Sequence, residues 1–139
     1  SACLVGSEMC IRDSLCVTPS IKPGISDLTF VAEIDDESET QSLIRHLEKQ
    51  INVLSVEDIT TTSLYNVELL LVKVATPVDQ KVLENIINRS DALVSVLNEE
   101  DGYTYLQASG SQQALDAFLE QLSSQQIDQV SRTGTAALL

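Results

Sequence analysis

From residue 67 to residue 132 the apolar residues switch spacing in the order strand, helix, strand, strand, helix, strand, and few folds accept that order. Residues 67–74 (VELLLVKV) are almost continuously apolar and too short for a helix, so a strand buried on both faces is expected. Residues 79–89 place Val82, Leu83, Ile86 and Ile87 on one helical stripe, with Pro77 and Asp79 at its entrance. Residues 92–98 form a strand again. Asp101-Gly102 is a turn pair that joins this strand to the alternating residues 103–109 as a hairpin. Ser111 is placed to cap a helix carrying Leu115, Phe118, Leu119 and Leu122, and residues 127–132 close the unit as a strand.

The same pattern stands half-formed before it. Residues 28–34 (LTFVAEI) alternate as a strand, and residues 38–50 carry Leu43, Ile44, Leu47 and then Ile51 on one face, with Ser38 and Gln41 spaced as a capping box. Residues 53–59 read as another strand. Ahead of these stands one short extended piece, residues 15–18, ended by Pro19 and the turn pair Pro23-Gly24. The expected fold class is therefore α+β, with ferredoxin-like βαββαβ modules: an incomplete ββαβ module over residues 14–62 and a complete one over 63–139. The half-copy without a counterpart is the part that usually builds a small-molecule pocket.

Residues 1–13 are expected to be a non-native, disordered leader. Met9-Cys10-Ile11-Arg12-Asp13 resembles the translation of a transposase end sequence used to build sequencing libraries, and Val5-Gly6-Ser7-Glu8 resembles its usual readthrough flank. A secretory signal does not fit, because a basic start and a long apolar core are both missing. Of the three cysteines, Cys3 and Cys10 fall in this leader, so Cys16 has no partner spacing that would suggest a metal site or a disulfide framework. No stretch approaches the ~18 consecutive apolar residues of a membrane span. A cytoplasmic protein is expected.

Charge narrows the function classes. The 139-residue chain carries a net charge of −13, with eight Lys and Arg scattered singly and only five aromatic residues. Such a surface repels phosphate backbones, so nucleic-acid binding is not expected. The acidic run Glu33-Ile34-Asp35-Asp36-Glu37 sits at a helix start, where carboxylates complement the dipole, and a metal is not expected there. His46, the only histidine, lies beside Arg45 and Glu48 without a residue to orient it as a base. Cys16 has no neighbouring basic cluster to activate it, and the carboxylates of Asn98-Glu99-Glu100-Asp101 fall on a hairpin tip. No catalytic residue is assigned.

At this point a family resemblance enters. Residues 13–20 (DSLCVTPS), 26–30 (SDLTF), 46–59 (HLEKQINVLSVEDI), 65–74 (YNVELLLVKV) and 130–138 (VSRTGTAAL) follow one another in a known order. They resemble "ESLTVAPT", "SRMTI", "KQLxKLxDVxxVxDL", "ERELMLVKV" and "VARTGVVAL" of the small, regulatory subunit of acetolactate synthase, also called acetohydroxyacid synthase. The resemblance implies a first domain of the ACT type and a second module of related topology. It implies self-association through ACT domains, valine as effector, and docking on a catalytic large subunit that would hold thiamine diphosphate, Mg and FAD. The small subunit would activate that partner in branched-chain amino-acid biosynthesis, confer valine feedback inhibition, and hold no cofactor itself.

Departures from the family matter as well. Its ligand loop, "ENEPGVL" or "NESGAL", and the following "GYNI" have no counterpart in this chain, so only the edge at Leu15, Cys16 and Thr18 remains of the implied valine site. Asp27 stands where the family usually has Arg, and Tyr65-Asn66 where it has Glu-Arg. Arg132, Thr133 and Gly134 are the implied contact with the catalytic subunit. Two other classes compete: a stand-alone ACT-type sensor controlling another enzyme, and a ferredoxin-like hydrolase of the acylphosphatase sort. Without an opening strand and helix, the first module is expected to be marginal and to leave uncovered a strip drawn from Leu28, Phe30, Ala32 and Ile34.

Overall fold

The computed structural model describes residues 2–3, 10–61 and 65–138, with side chains from Leu15 onward. The chain forms two compact units, residues 1–65 with 137–139, and residues 66–136. The expected boundary after residue 62 lies outside the described residues, and the observed one falls within a strand.

In the first unit, β1 (Ala2–Cys3) pairs antiparallel with β2 (Cys10–Pro19), which pairs antiparallel with β3 (Ser26–Ala32). Described residues at 2–3 and 10–13 are therefore strand, where a disordered leader was expected, and β2 begins at Cys10 instead of Leu15. Ile11 finds a ladder partner in Ala32 beyond a register shift, and that pairing satisfies backbone groups of β3 past the Leu15–Phe30 pair. Helix α1 (Glu37–Glu48) follows. Its N-cap is Asp36, not Ser38: the Glu39 amide donates to Asp36 Oδ1 at 2.9 Å, and the Asp35 amide donates to Glu39 Oε2 at 3.1 Å. An acidic residue at the cap accepts the orphan amide as well as a hydroxyl does and also complements the dipole, so the helix starts earlier than the Ser38–Gln41 spacing suggested.

Residues 53–59 are not the strand expected from the sequence. Among the described residues no strand pairs with them, and without a ladder to satisfy its amides an extended segment gains nothing from β geometry. The segment ends in a turn in which both the amide and the hydroxyl of Thr60 donate to Asp58 Oδ1. Among the described residues of this unit only Leu43 is buried. Leu28 is 56% exposed, while Phe30, Ala32 and Ile34 are half-buried, so the uncovered strip is open chiefly at its Leu28 end.

The second unit runs β4 (Tyr65–Ala75), α2 (Gln80–Arg89), β5 (Leu93–Glu100), β6 (Tyr103–Gly110), α3 (Gln112–Leu122) and β7 (Ile127–Arg132). The sheet order is β5-β6-β4-β7 with every neighbour antiparallel, which is the ferredoxin-like arrangement. A short strand, β8 (Ala136–Leu138), also pairs with β4. Asp79 caps α2 by accepting from the Lys81 and Val82 amides, and Ser111 caps α3 by accepting from the Ala114 amide at 3.2 Å. Asp101 and Gly102, at φ 52° and 80°, make the left-handed pair that a two-residue hairpin turn requires.

The core lies between the helices and one face of the sheet. Leu70, Val72 and Val74 from β4 and Leu106 and Ala108 from β6 meet Leu83 and Ile86 of α2 and Leu115, Phe118 and Leu122 of α3. Residues 67–74 are thus buried on one side only, against the expectation of a strand covered on both. Both helices of a βαββαβ unit pack on the same side of the sheet, so Val67, Leu69 and Leu71 face away at 51%, 36% and 42% exposure. A run of apolar residues on β4 hides this difference because both of its faces are apolar.

Candidate functional site

The candidate residues of the sequence fall in different settings. Leu15, Cys16 and Thr18 all lie on β2, opposite Phe30, Thr29 and Asp27 of β3. Alternation along the strand puts Cys16 and Thr18 on one face and Leu15 on the other, so the three form an edge with two sides instead of a single patch. Residues 15–19 of β2 pair only with β3 among the described residues, which leaves the opposite edge of that stretch open. Cys16 is a half-buried free thiol.

The acidic run resolves into helix capping. Asp36 is the N-cap and Glu37 and Glu39 occupy the first turn of α1. Among the described residues no cluster of three or more His, Cys, Asp and Glu side chains is grouped as for a metal. His46 is half-buried on α1. On the hairpin tip, Asn98 donates to Glu100 at 3.2 Å and Gln80 donates to Glu99 at 3.4 Å, so these carboxylates accept from local amide side chains.

Arg132 is the best-defined side chain of the candidate contact. Its guanidinium turns onto its own unit: Nε donates to Glu68 Oε2 at 2.6 Å, Nη1 donates to Asp116 Oδ1, and Nη2 donates to the Gln112 carbonyl at 3.2 Å. Burial works against the charged form here, but the hydrogen bonds to Asp116 and Glu68 outweigh it and hold the pKa above the ordinary arginine value. The three hydrogen bonds of the guanidinium therefore fall within its own unit. Thr133 continues the β4 ladder, its amide donating to the Leu69 carbonyl and its hydroxyl accepting from the Leu69 amide, both at 3.0 Å. Thr135 donates to the other oxygen of Glu68.

Glu68 is the residue that the sequence reading missed. It is 3% exposed, at a covered-face position of β4, and it ties Arg132 to Thr135 with its two oxygens. The signal was present: in the series 68, 70, 72, 74 one charged residue shares the face of three aliphatic ones, and such a residue needs a partner. The chemistry of this hub is structural, a buried carboxylate fully used by a guanidinium and a hydroxyl.

The resemblance read from the sequence is matched by comparison with known proteins. A family model described as the small subunit of acetolactate synthase matches residues 67–139. The chain is 33% identical over 126 residues to the acetolactate synthase small subunit of Bacillus subtilis, covering 90% of this chain and 72% of that protein. The chain belongs to the acetolactate synthase small-subunit family. A probable small subunit from Methanothermobacter thermautotrophicus is 29% identical over 126 residues, 91% of this chain and 74% of that protein. In structure, the chain resembles the acetolactate synthase small subunit from Thermotoga maritima with a TM-score of 0.78, covering 94% of this chain and 80% of that one at 22% sequence identity.

Proposed function

We propose that the chain is a regulatory subunit of acetolactate synthase: it docks on a thiamine-diphosphate-dependent catalytic subunit, raises the rate at which two pyruvates become 2-acetolactate and CO2, and performs no bond-making itself. The observation that carries this reading is the 33% identity to the Bacillus subtilis small subunit, which runs through both units and not one alone. Thiamine diphosphate, Mg and FAD are assigned to the catalytic partner. The cytoplasm is the proposed compartment, and no helix among the described residues is long and apolar enough to cross a membrane.

Valine is proposed as the effector, entering against the open edge of β2 near Cys16 and Thr18. The edge of residues 15–18 that faces away from β3 offers backbone donors and acceptors of the kind that an amino acid's charged ends require.

The test is reconstitution. A catalytic subunit should co-purify with the chain and form acetolactate faster in its presence, and valine should lower that stimulated rate if the β2 edge still binds it. Absence of both association and stimulation with catalytic subunits from several sources would overturn the regulatory reading. Valine binding without association would favour the stand-alone sensor.

A further inference from the structure

We propose that Asp101-Gly102, at the tip of the β5–β6 hairpin, is a site of spontaneous isoaspartate formation, and that the product loosens the hairpin. The inference is independent of the role in acetolactate synthesis. Of the ten aspartates only Asp101 is followed by glycine, so only there is the neighbouring amide nitrogen unshielded by a Cβ. Asp101 and Gly102 are exposed and lie outside the ladder, which closes at the Glu100–Tyr103 pair. Among the described residues neither the Asp101 carboxylate nor the Gly102 amide has a hydrogen-bond partner. The tip is held from its carbonyl side, where the Thr76 amide donates to Gly102 at 2.9 Å.

The reaction needs only water. The Gly102 nitrogen attacks Cγ of the un-ionised Asp101 acid, the amide proton and the acid hydroxyl leave together as water, and a succinimide ring closes within the main chain. Water then opens the ring at either carbonyl. Opening at the original main-chain carbonyl leaves the chain running through Cγ with a carboxylate on Cα, which is isoaspartate; opening at the other restores aspartate. The water lost in the first step is regained in the second, and nothing is oxidised or reduced.

The other aspartates are held away from this chemistry. Asp36 accepts from the Glu39 amide, Asp58 from Thr60, and Asp79 from the Lys81 and Val82 amides. Asp116 and Asp128 pair with Arg132 and Lys73. After Asp91 the nucleophile itself is engaged, because the Ala92 amide donates to the Ser90 hydroxyl at 3.1 Å. Asp13 and Asp27 lie within β2 and β3, and Asp35 precedes Asp36, whose side chain crowds the amide.

The turn sets the pace. Asp101 and Gly102 are a left-handed pair, and ring closure requires the peptide between them to rotate out of that geometry. Reaction therefore follows opening of the tip, which ends the edge strand β5. Isoaspartate then adds one carbon to the main chain of a two-residue turn, so Glu100 and Tyr103 lose their register and the Gly102 carbonyl moves away from Thr76.

Ageing the full chain at physiological temperature in mildly acidic buffer, followed by peptide mapping with electron-transfer fragmentation, tests this. Isoaspartate is expected at position 101 about tenfold or more faster than at any other aspartate. It should form more slowly there than in a free peptide of residues 97–106, which has no turn to open. Hydrogen exchange of the aged chain should show protection lost at Thr76 and across residues 98–105. Asp101→Glu keeps the charge but would have to close a larger, slower ring, so it should age without that loss. Absence of isoaspartate at 101 once the free peptide has converted, or an equal yield at another aspartate, overturns the proposal. So does an aged Asp101→Glu chain that loosens as much as the unsubstituted one.

Discussion

A carboxylate on the covered face of a central strand loses most of its hydration, and at Glu68 the loss is offset by Arg132 and Thr135 together. Removing the guanidinium leaves that buried carboxylate without a cation and with only the Thr135 hydroxyl to solvate it, so Arg132→Met is expected to cost about 3 kcal/mol, read from urea unfolding of the second unit. Arg132→Lys should recover only part of the loss, since an ammonium cannot hold Glu68, Asp116 and the Gln112 carbonyl in the fork geometry. Asp58 presents the opposite case, an exposed carboxylate with a local role. Hydrogen bonds from the Thr60 hydroxyl and amide hold its pKa below the ordinary value of 3.8. A depressed folded-state pKa means that the turn's contribution is complete above the ordinary aspartate range and fades as pH falls through the lower, folded value. A carbon-detected NMR titration should find Asp58 losing its charge later, on acidification, than it does in the Thr60→Ala variant.

Among the elements, α1 shows how a polar sequence can carry two start signals. Asp36 wins over Ser38 because it is followed three residues later by Glu39, which reaches back to the Asp35 amide. Asp36→Ala should destabilise the helix by about 1 kcal/mol, measured as lost helical ellipticity and lower protection of the Glu39 amide, whereas Ser38→Ala should change little. Period alone sufficed for α2, α3 and the β5–β6 hairpin, where capping residues, turn pair and apolar stripe agree. It failed at residues 53–59, since a short segment with four apolar residues says nothing about whether a neighbour exists to hydrogen-bond it. It also failed to decide how β4 is covered, because Val67, Leu69 and Leu71 are as apolar as the core residues between them. At the site, Arg132 was legible from its place in a family string and Glu68 as the lone charge on an aliphatic strand face, but that these two meet each other and Asp116 was not. Their pairing depends on sheet register, and no local spacing encodes that.

For the whole molecule the contrast between units is one of burial. The second buries twelve apolar residues in one cluster, while the first buries Leu43 alone among its described residues. Local opening should therefore be far easier in the first. Hydrogen exchange is expected to show amides of residues 14–62 exchanging orders of magnitude faster than the core strands β4 and β6; equal protection would contradict the burial pattern. The Glu68 hub has a further consequence, for how descendants of this sequence could change. A lineage that drops the arginine first passes through an intermediate with a stranded buried anion. One that drops the glutamate first leaves a guanidinium that still holds Asp116 and can turn toward water. Drift away from this network should thus be directional, beginning at position 68 and reaching 132 only afterwards.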